Sequence, residues 1–354
     1  MNTGYFAGSF LAGLIIPHRA SHASVALFGA VGATLGLASL SFIQHPFVAH
    51  PAALLAGLCF GASNLASLVA LNATVSAKKR ATCVGLASCG TSMGTILLPH
   101  FYTLLTEAMG WRWGMRINAA ASCLFLGAAA PFFRVQAAKT EVDSSIKESD
   151  ARPKRCVVLN LRFLCWWLNM FVCFFGYLVP PTLLAEFARK ELKLSASLAA
   201  LSYSIFGVTA LITRILLGCI THAVGGPRRL FFVSQLLVGA FAICLPFCWN
   251  AESLLVWSAV YGCGIGPSIA LVSVVLSDLF GTKDLALYHG CSRTGVGVGN
   301  LLGIPLLSLL AEKQGFTIAF VLSGALVSFS PVFLIILEFL HRRKQRAEAQ
   351  ESRC

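Results

Sequence analysis

Charged residues are scarce in this sequence of 354 residues. Asp, Glu, Lys and Arg together make up 12% of it, whereas hydrophobic residues make up 57%. A soluble globular domain carries about twice that charged fraction. The apolar residues recur along the chain in runs of about twenty, the length that an α-helix needs to cross a bilayer. The sequence therefore excludes an ordinary soluble domain and predicts an all-α, multi-pass membrane protein.

Acidic residues are the scarcer of the two signs. The 14 Asp and Glu residues stand against 27 Lys and Arg residues, which gives a net charge of +13. In a soluble chain that excess would suggest a nucleic-acid partner, but no basic patch here is interleaved with aromatic residues, so we expect no nucleic-acid binding. The cations instead cluster between the apolar runs, where they set the orientation in the membrane.

Motifs for metal ligation and for catalysis are also lacking. None of the eight histidines stands in an HExxH or HxxxD spacing. The thirteen cysteines form no CxxC pair and lie mostly inside apolar runs, which is typical of small core residues. We therefore expect no enzymatic activity, no cofactor and no bound metal.

Eleven apolar segments are candidates for membrane helices, and the first of them is short. They lie at about residues 5–16, 24–42, 51–71, 81–105, 113–133, 157–185, 197–221, 230–249, 254–280, 286–311 and 317–340. The long hydrophilic stretch 134–156 predicts a charged cytoplasmic linker. It would join an N-terminal bundle over 1–133 to a six-helix C-terminal bundle over 157–340, and a basic cytoplasmic tail over 341–354 would follow.

The positions of the cations predict which way the chain crosses the membrane. With the tail in the cytoplasm, alternation puts the linker, Arg228-Arg229 and Lys78-Lys79-Arg80 on that same side, where Lys and Arg are enriched. The short first segment would then begin outside. An even number of crossings would require one more helix at the front, so the N-terminal bundle is expected to be incomplete. The plasma membrane is the expected location.

A basic cluster precedes a helix that carries small residues. After Lys78, Lys79 and Arg80, about two dozen residues pass without charge. Within them Gly85, Gly90 and Gly94 recur at a spacing of four to five residues, so one helix face has almost no side chain. Such a face lets two membrane helices approach closely. These glycines are predicted packing positions.

Ionisable residues inside apolar runs are the candidate sites, because each costs roughly 2.5–3.5 kcal/mol to insert without a cavity or a partner. Arg214 lies about ten residues from either polar flank. It would hold a substrate carboxylate or form a fixed ion pair, and the first role is favoured. Arg293 would face the cavity or snorkel to the cytoplasmic surface. Asp278 would pair with Arg293 or Arg214 as a gate, or cap its helix at the membrane interface. Lys78, Lys79 and Arg80 are further candidates for a gate or an ion pair.

Four groups of motifs, in order along nearly the whole chain, resemble the monocarboxylate transporter family of the major facilitator superfamily. They are Lys78–Gly94; Gly110-Trp111-Arg112; Val179-Pro180-Pro181 with Arg214–Gly218; and Ser277–Gly281 with Leu301–Leu306. The resemblance implies two helical halves that alternate access around a central site. It also implies a small monocarboxylate or related organic anion as substrate, transport by facilitation or by symport with protons, and in many members a single-pass membrane chaperone.

Three departures from the family bear on the mechanism. The family's first helix, with the lysine that proton-coupled members use, has no counterpart. Ala210 stands where lactate carriers have an aspartate one turn before Arg214, and Ser273 stands where they have a phenylalanine. The smaller Ser273 would widen the substrate pocket. These departures favour a facilitator over a proton symporter, and they leave a truncated, non-transporting variant or scaffold as the alternative.

Overall fold

The computed structural model of the protein describes residues 2–16, 22–42, 46–125, 160–282 and 284–351. Every regular element in these ranges is a helix, as the apolar runs predict. Helices satisfy all their interior backbone hydrogen bonds within one segment, which is what a bilayer demands. The predicted linker over 134–156 lies outside the described residues.

The part of the chain before residue 126 contains five described helices: α1 Asn2–Ile15, α2 His22–Leu40, α3 Pro46–Thr74, α4 Ala77–Met109 and α5 over residues 111–125. Helices α1 and α3 pack closely. A Cβ at Gly8 or Gly61 would overlap the backbone of the other helix, so only glycine fits at these crossings. The hydroxyl of Ser9 also donates a hydrogen bond of 3.0 Å to the carbonyl oxygen of Gly61.

The described helices after residue 160 are α6 Leu161–Gly176, α7 Val179–Lys190, α8 Ala196–Ile215, α9 Leu217–Val224, α10 Pro227–Cys244, α11 Ala251–Phe280, α12 Leu285–Gln314, α13 Phe316–Phe329 and α14 Pro331–Glu351. A short 3₁₀ turn, Leu245–Phe247, follows α10. The basic segment after residue 340 therefore continues α14 as helix up to Glu351.

Three segments predicted as single helices are each divided in two. The break between α6 and α7 precedes Pro180, and α14 begins at Pro331, because proline lacks the N–H that a continuous helix needs. The break between α8 and α9 falls at Leu216, where ψ is 1° instead of the α-helical value of about −42°. No proline lies near this break, although Gly218 is the second residue of α9.

Eight described stretches are long and apolar enough to cross a membrane: Ala49–Thr74, Lys78–Leu98, Leu161–Lys190, Ser197–Ile215, Pro227–Phe247, Ala251–Phe280, Leu285–Gln314 and Phe316–Arg343. Gly4–Ile15 and Ser24–Leu40 are shorter apolar helices. Together with the helix over 111–125, they correspond one to one with the eleven segments predicted from hydropathy. The prediction of an all-α membrane fold is confirmed.

The chain divides into two compact units. Unit 1 comprises Met1–Val75, Leu98–Arg155 and Phe280–Gly297, and unit 2 comprises Ser76–Leu97, Cys156–Leu279 and Val298–Cys354. Unit 2 thus takes the first part of α4, and unit 1 takes the first part of α12. A division into two bundles at the linker stays a prediction.

Buried aromatic and amide side chains form the core of unit 2. Among its largest fully buried side chains are those of Trp166, Tyr177, Phe231, Tyr261 and Phe320. The amides of Asn169 and Gln235 exchange hydrogen bonds of 3.3 Å, and the Asn169 amide also donates to the Ser330 carbonyl oxygen at 2.8 Å. These bonds tie α6 and α10 to the junction of α13 and α14. A satisfied buried network of this kind fixes the mutual register of the helices.

Candidate functional site

Arg214 is the buried cation of unit 2. It lies in the last turn of α8, at the break before α9, and is 2% exposed. Its Nη1 donates to the carbonyl oxygen of Ser88 on α4 at 2.7 Å, and its Nε donates to the carbonyl oxygen of Gly266 on α11 at 3.4 Å. Carbonyl groups accept these protons without neutralising the charge. Arg214 thus joins three helices of unit 2.

No carboxylate forms an ion pair with Arg214 in the described part of the chain. The fixed-ion-pair interpretation therefore has no described partner. A buried guanidinium with an unmatched charge retains N–H donors in the planar arrangement that binds a carboxylate bidentately. The surroundings of Arg214 thus have the chemistry of an anion site.

A group of buried hydroxyls beside the α11 contact of Arg214 was not indicated by the sequence. The hydroxyl of Tyr177 lies 3.4 Å from the carbonyl oxygen of Ile265, the residue before Gly266, and is hydrogen-bonded to the hydroxyl of Ser268 on α11. The hydroxyl of Tyr261 donates to the backbone carbonyl of Tyr177 at 3.1 Å. Tyr177 lies at the break between α6 and α7. Its position shortly before Pro180-Pro181 is the feature of the sequence that could have identified it.

Ser273 lies on α11 in unit 2 and is 3% exposed. Its hydroxyl is buried and has no hydrogen-bond partner among the described residues. Asn300, on the part of α12 that belongs to unit 2, is likewise buried with both amide atoms unpaired within those residues. A buried polar group left unsatisfied costs about 1–3 kcal/mol. Such groups need an explanation, and a polar ligand is one.

Arg293 lies on α12 in unit 1, where it is half-buried. Its guanidinium carbon stands 6.0 Å from the ring centroid of Tyr5 on α1, a cation–π contact. The hydroxyl of Tyr5 in turn donates to Asn64 on α3 at 2.8 Å. One turn before Arg293, His289 is 1% exposed, and both of its ring nitrogens lack a described partner. No sequence motif singles out His289.

Asp278 has a different partner from the two that the sequence suggested. Its Oδ1 lies 3.9 Å from Nη1 of Arg80, whose same nitrogen donates to the hydroxyl of Ser277 at 3.0 Å. The ion pair joins the first turn of α4 to the last turn of α11. Lys78 and Lys79 are exposed and form no ion pair among the described residues, so Arg80 alone of the basic triplet is engaged.

The last turn of α11 attracts two further arginines. Arg228 donates to the carbonyl oxygen of Asp278 at 3.0 Å, and Arg162 donates to that of Leu279 at 2.8 Å. The C-terminal carbonyls of a helix have no partners inside the helix and carry partial negative charge, which cations stabilise. Helices α4, α6 and α10 are thereby fastened to the same end of α11.

The three candidate packing glycines differ in their surroundings. A Cβ at Gly85 would overlap the carbonyl oxygen of Arg214 and lie 3.1 Å from Cβ of Leu217, so α4 meets the α8–α9 junction there without space for a side chain. A Cβ at Gly90 would meet nothing within 4 Å. Gly94, four residues further along α4, is half-buried.

The sequence Gly90-Thr91-Ser92-Met93-Gly94 matches the letters of the G-x-S-x-G nucleophile elbow. That elbow requires a sharp turn from a strand into a helix. Here all five residues lie inside α4, and Ser92 is 2% exposed, with no partner for its hydroxyl in the described ranges. The match is therefore one of letters, without the geometry that exposes a nucleophilic serine.

The chain matches one known family of membrane proteins over most of its length. The model of the Major Facilitator Superfamily matches residues 1–225 and 165–353 of the chain. The chain belongs to the Major Facilitator Superfamily. This protein is therefore a multi-pass membrane protein of a transporter superfamily, as its motifs predicted.

Curated relatives of this major facilitator protein include monocarboxylate transporters. Monocarboxylate transporter 10 of Homo sapiens is 25% identical over 344 residues, which cover 91% of this chain and 65% of that protein. Monocarboxylate transporter 12 of Xenopus laevis is 24% identical over 355 residues, covering 91% and 75%. The resemblance to monocarboxylate transporters is confirmed. The chain spans slightly less than two thirds of the length of the human relative.

Solved structures support the fold of this major facilitator protein. The human organic anion transporter MFSD10 (TETRAN) superposes with a TM-score of 0.74 at 16% identity, covering 94% of this chain and 81% of that one. The proton:xylose symporter XylE, bound to 6-bromo-6-deoxy-D-glucose, also gives a TM-score of 0.74, at 15% identity over 94% and 83%. At these identities the similarity concerns the fold alone.

Proposed function

We propose that this major facilitator protein carries a small monocarboxylate or related organic anion across the membrane by alternating access, with Arg214 holding the anionic group. One observation supports the proposal above all. Arg214 is 2% exposed, and its guanidinium donates hydrogen bonds to two neutral carbonyl oxygens. A buried charge without a counter-ion is costly, and a carboxylate that enters the site would remove that cost. Relatives named monocarboxylate transporters supply the substrate class.

Facilitated transport is the mode that we favour over proton symport. A symporter needs a group near the substrate that takes up and releases the coupled proton. Ala210 stands one turn before Arg214, and no described carboxylate pairs with Arg214. The unpaired hydroxyl of Ser273 and the hydroxyls of Tyr177 and Ser268 would orient the substrate by hydrogen bonding rather than by proton exchange.

The protein is proposed to lie in the plasma membrane. The basic ends of its helices and its C-terminus would then face the cytoplasm. This orientation is supported by the side chains that meet at the end of α11. Arg80, Arg162 and Arg228 come from three different helix starts and reach the same turn of α11. Cations gathered at one end of a bundle favour the cytoplasmic side. A single-pass chaperone and the two-bundle division at 134–156 belong to the same proposal.

Uptake by the purified protein in liposomes tests the proposed function. We expect saturable entry of radiolabelled monocarboxylates, because Arg214 would bind their carboxylate groups. The neutral amide of each compound should neither enter nor compete, since it offers no charge to the guanidinium. An inward proton gradient should leave the initial rate of a facilitator unchanged after correction for the protonated acid that crosses empty liposomes.

Two results would contradict this proposal. If the amides enter as fast as the acids, charge recognition is wrong even though transport is real. If no monocarboxylate in a panel of increasing side-chain size enters faster than into empty liposomes, the substrate class is wrong.

The Arg80–Asp278 ion pair is proposed to stabilise one transport conformation by fastening α4 to α11. Arg80→Gln and Asp278→Asn should each alter the maximal uptake rate about two- to fivefold, because a partly exposed pair contributes up to about 1 kcal/mol. The charge-swapped double variant should recover part of that change. Lys79→Gln, which removes an exposed neighbouring cation, should behave as native. A swap no better than either single variant would show that the pair does not bias the conformation.

A further inference from the structure

A cavity of about 880 Å³ lies on unit 2, between the start of α10, the end of α11 and the stretch of α14 from Leu334 to Arg342. We call it the α10–α14 cavity. It plays no part in the anion site around Arg214. Its polar lining consists of three arginines, Arg228, Arg229 and Arg342, and two carboxylates, Asp278 and Glu338.

The charges of the α10–α14 cavity do not balance. Glu338 is shared between Nη1 of Arg228 at 3.2 Å and Nε of Arg342 at 3.0 Å. Asp278 already pairs with Arg80 at the end of α11. The cavity therefore keeps an excess of positive charge.

Arg229 is the uncommitted cation of this cavity. It is exposed and forms no ion pair or hydrogen bond within the described residues, and its guanidinium lies beside Gly225 in the turn before α10. Helix α10 starts there without a side-chain cap, so its first N–H groups add to the positive potential. A ligand for this place would carry a negative charge.

The remaining wall of the α10–α14 cavity is apolar and exposed. Val233 on α10 is 44% exposed, and Ile335 and Phe339 on α14 are 57% and 60% exposed. These positions belong to membrane-spanning stretches of the chain. A soluble anion would leave this wall uncovered, whereas a ligand with an anionic head and an apolar chain would cover it.

The sequence of α14 places the boundary between lipid tails and headgroups at this cavity. Glu338 is the one charged residue between Phe316 and Leu340, where its partners are Arg228 and Arg342, and His341-Arg342-Arg343-Lys344 follow Leu340 at once. Cations directly after a membrane span lie at headgroup level. Arg342 therefore stands at the depth of the lipid phosphates, and Ile335 stands about two helical turns deeper.

We propose that the α10–α14 cavity binds one anionic phospholipid. Arg229 and Arg342 hold its phosphate, and an acyl chain lies along Val233, Ile335 and Phe339. Arg228 stays bonded to Glu338 and to the carbonyl oxygen of Asp278. It therefore holds α10, α11 and α14 together around the cavity and does not contact the lipid phosphate. The proposal is independent of the transported substrate.

Binding of defined lipids to the delipidated, detergent-solubilised full chain tests this proposal. Native mass spectrometry would count retained lipid during titration with phosphatidylglycerol or with phosphatidylcholine of the same acyl chains. We expect one tightly held phosphatidylglycerol per chain and weaker, unsaturable phosphatidylcholine. The double variant Arg229→Gln/Arg342→Gln should bind phosphatidylglycerol about 30-fold more weakly, because each interfacial cation contributes about a fivefold factor.

Arg189→Gln is the matched control. It also removes an exposed arginine without a described ion pair, but on α7 and outside the cavity lining. It should bind phosphatidylglycerol as the native chain does. Glycerol 1-phosphate, the soluble part of the headgroup, should not displace the lipid, because it lacks the acyl chain that the apolar wall contacts.

Four outcomes would overturn the proposal. They are equal retention of the two lipids by the native chain, unchanged phosphatidylglycerol binding by the double variant, an equal loss in Arg189→Gln, and displacement by glycerol 1-phosphate. The last would indicate a site for a soluble phosphate compound. The substituted arginines are exposed, so unchanged monodispersity is expected and serves as the folding check. The double variant Val233→Ser/Ile335→Ser tests the apolar wall separately. It should weaken phosphatidylglycerol binding although every charge of the cavity is kept.

Discussion

Arg214→Ala is expected to lower the initial rate of organic-anion uptake by about 30-fold or more. Removing one partner of a buried charge pair costs about 2–5 kcal/mol, and 1.4 kcal/mol corresponds to a factor of ten. Alanine also leaves the carbonyl oxygens of Ser88 and Gly266 without the donors that they have in the native protein. Initial uptake in liposomes, normalised to reconstituted protein, measures the effect.

Two further variants separate anion binding from structure. Arg214→Lys keeps the charge, but an ammonium group cannot bind a carboxylate bidentately while reaching both carbonyls, so we expect an intermediate loss of about tenfold. Arg189→Ala removes an exposed cation on α7 and should transport as the native chain does. Native-like uptake by Arg214→Ala would show that Arg214 does not lie in the transport path. If the variant loses its monodisperse protein peak as well as its uptake, the role of Arg214 is structural.

Gly85→Ala is expected to destabilise the protein by about 1–3 kcal/mol and to impair uptake, because the added methyl group would overlap the Arg214 carbonyl oxygen. The overlapped oxygen belongs to the backbone, and the next nearest atom is Cβ of Leu217, so neither can rotate away. Gly90→Ala adds the same methyl group to the same helix where nothing lies within 4 Å. It should leave stability unchanged or raise it by up to about 1 kcal/mol, since alanine is the better helix former.

Thermal unfolding of the two glycine variants in one detergent gives the comparison. The expected order of melting temperatures is Gly90→Ala at or above native, and Gly85→Ala below both. Equal melting temperatures would mean that α4 does not pack against the α8–α9 junction as closely as described. The pairing of two single-methyl variants removes helix propensity as an explanation, because that term is the same at both positions.

Hydropathy was sufficient to predict the helices, because each bilayer-spanning segment must bury an apolar run of fixed length. It did not predict the break at Leu216. No proline interrupts the helix there, and a single glycine such as Gly218 is tolerated inside many helices; the change of backbone direction accompanies the packing of Gly85 against Arg214 and Leu217. A helix break that a proline causes, such as the one before Pro331, can be predicted from the sequence. A break at which a neighbouring helix packs closely cannot.

The candidate site was predicted only in part for a similar reason. Arg214 and Asp278 were detectable because a charge inside an apolar run is conspicuous. The partner of Asp278 was not, since Arg80 comes from a distant helix and sequence spacing reports neighbours only within one helix. His289 and Asn300 also escaped notice, because a polar residue in an apolar helix does not reveal whether it faces lipid or the interior.

The three arginines at the end of α11 have a consequence for how the protein tolerates genetic variation. Arg80, Arg162 and Arg228 are redundant fasteners: loss of any one leaves the other two on the same turn. Arg214 has no such substitute in the described chain. Inherited or random changes should therefore carry a smaller penalty among the first three, of the order expected for Arg80→Gln, whereas the single guanidinium at the α8–α9 junction is the position whose loss nothing nearby compensates.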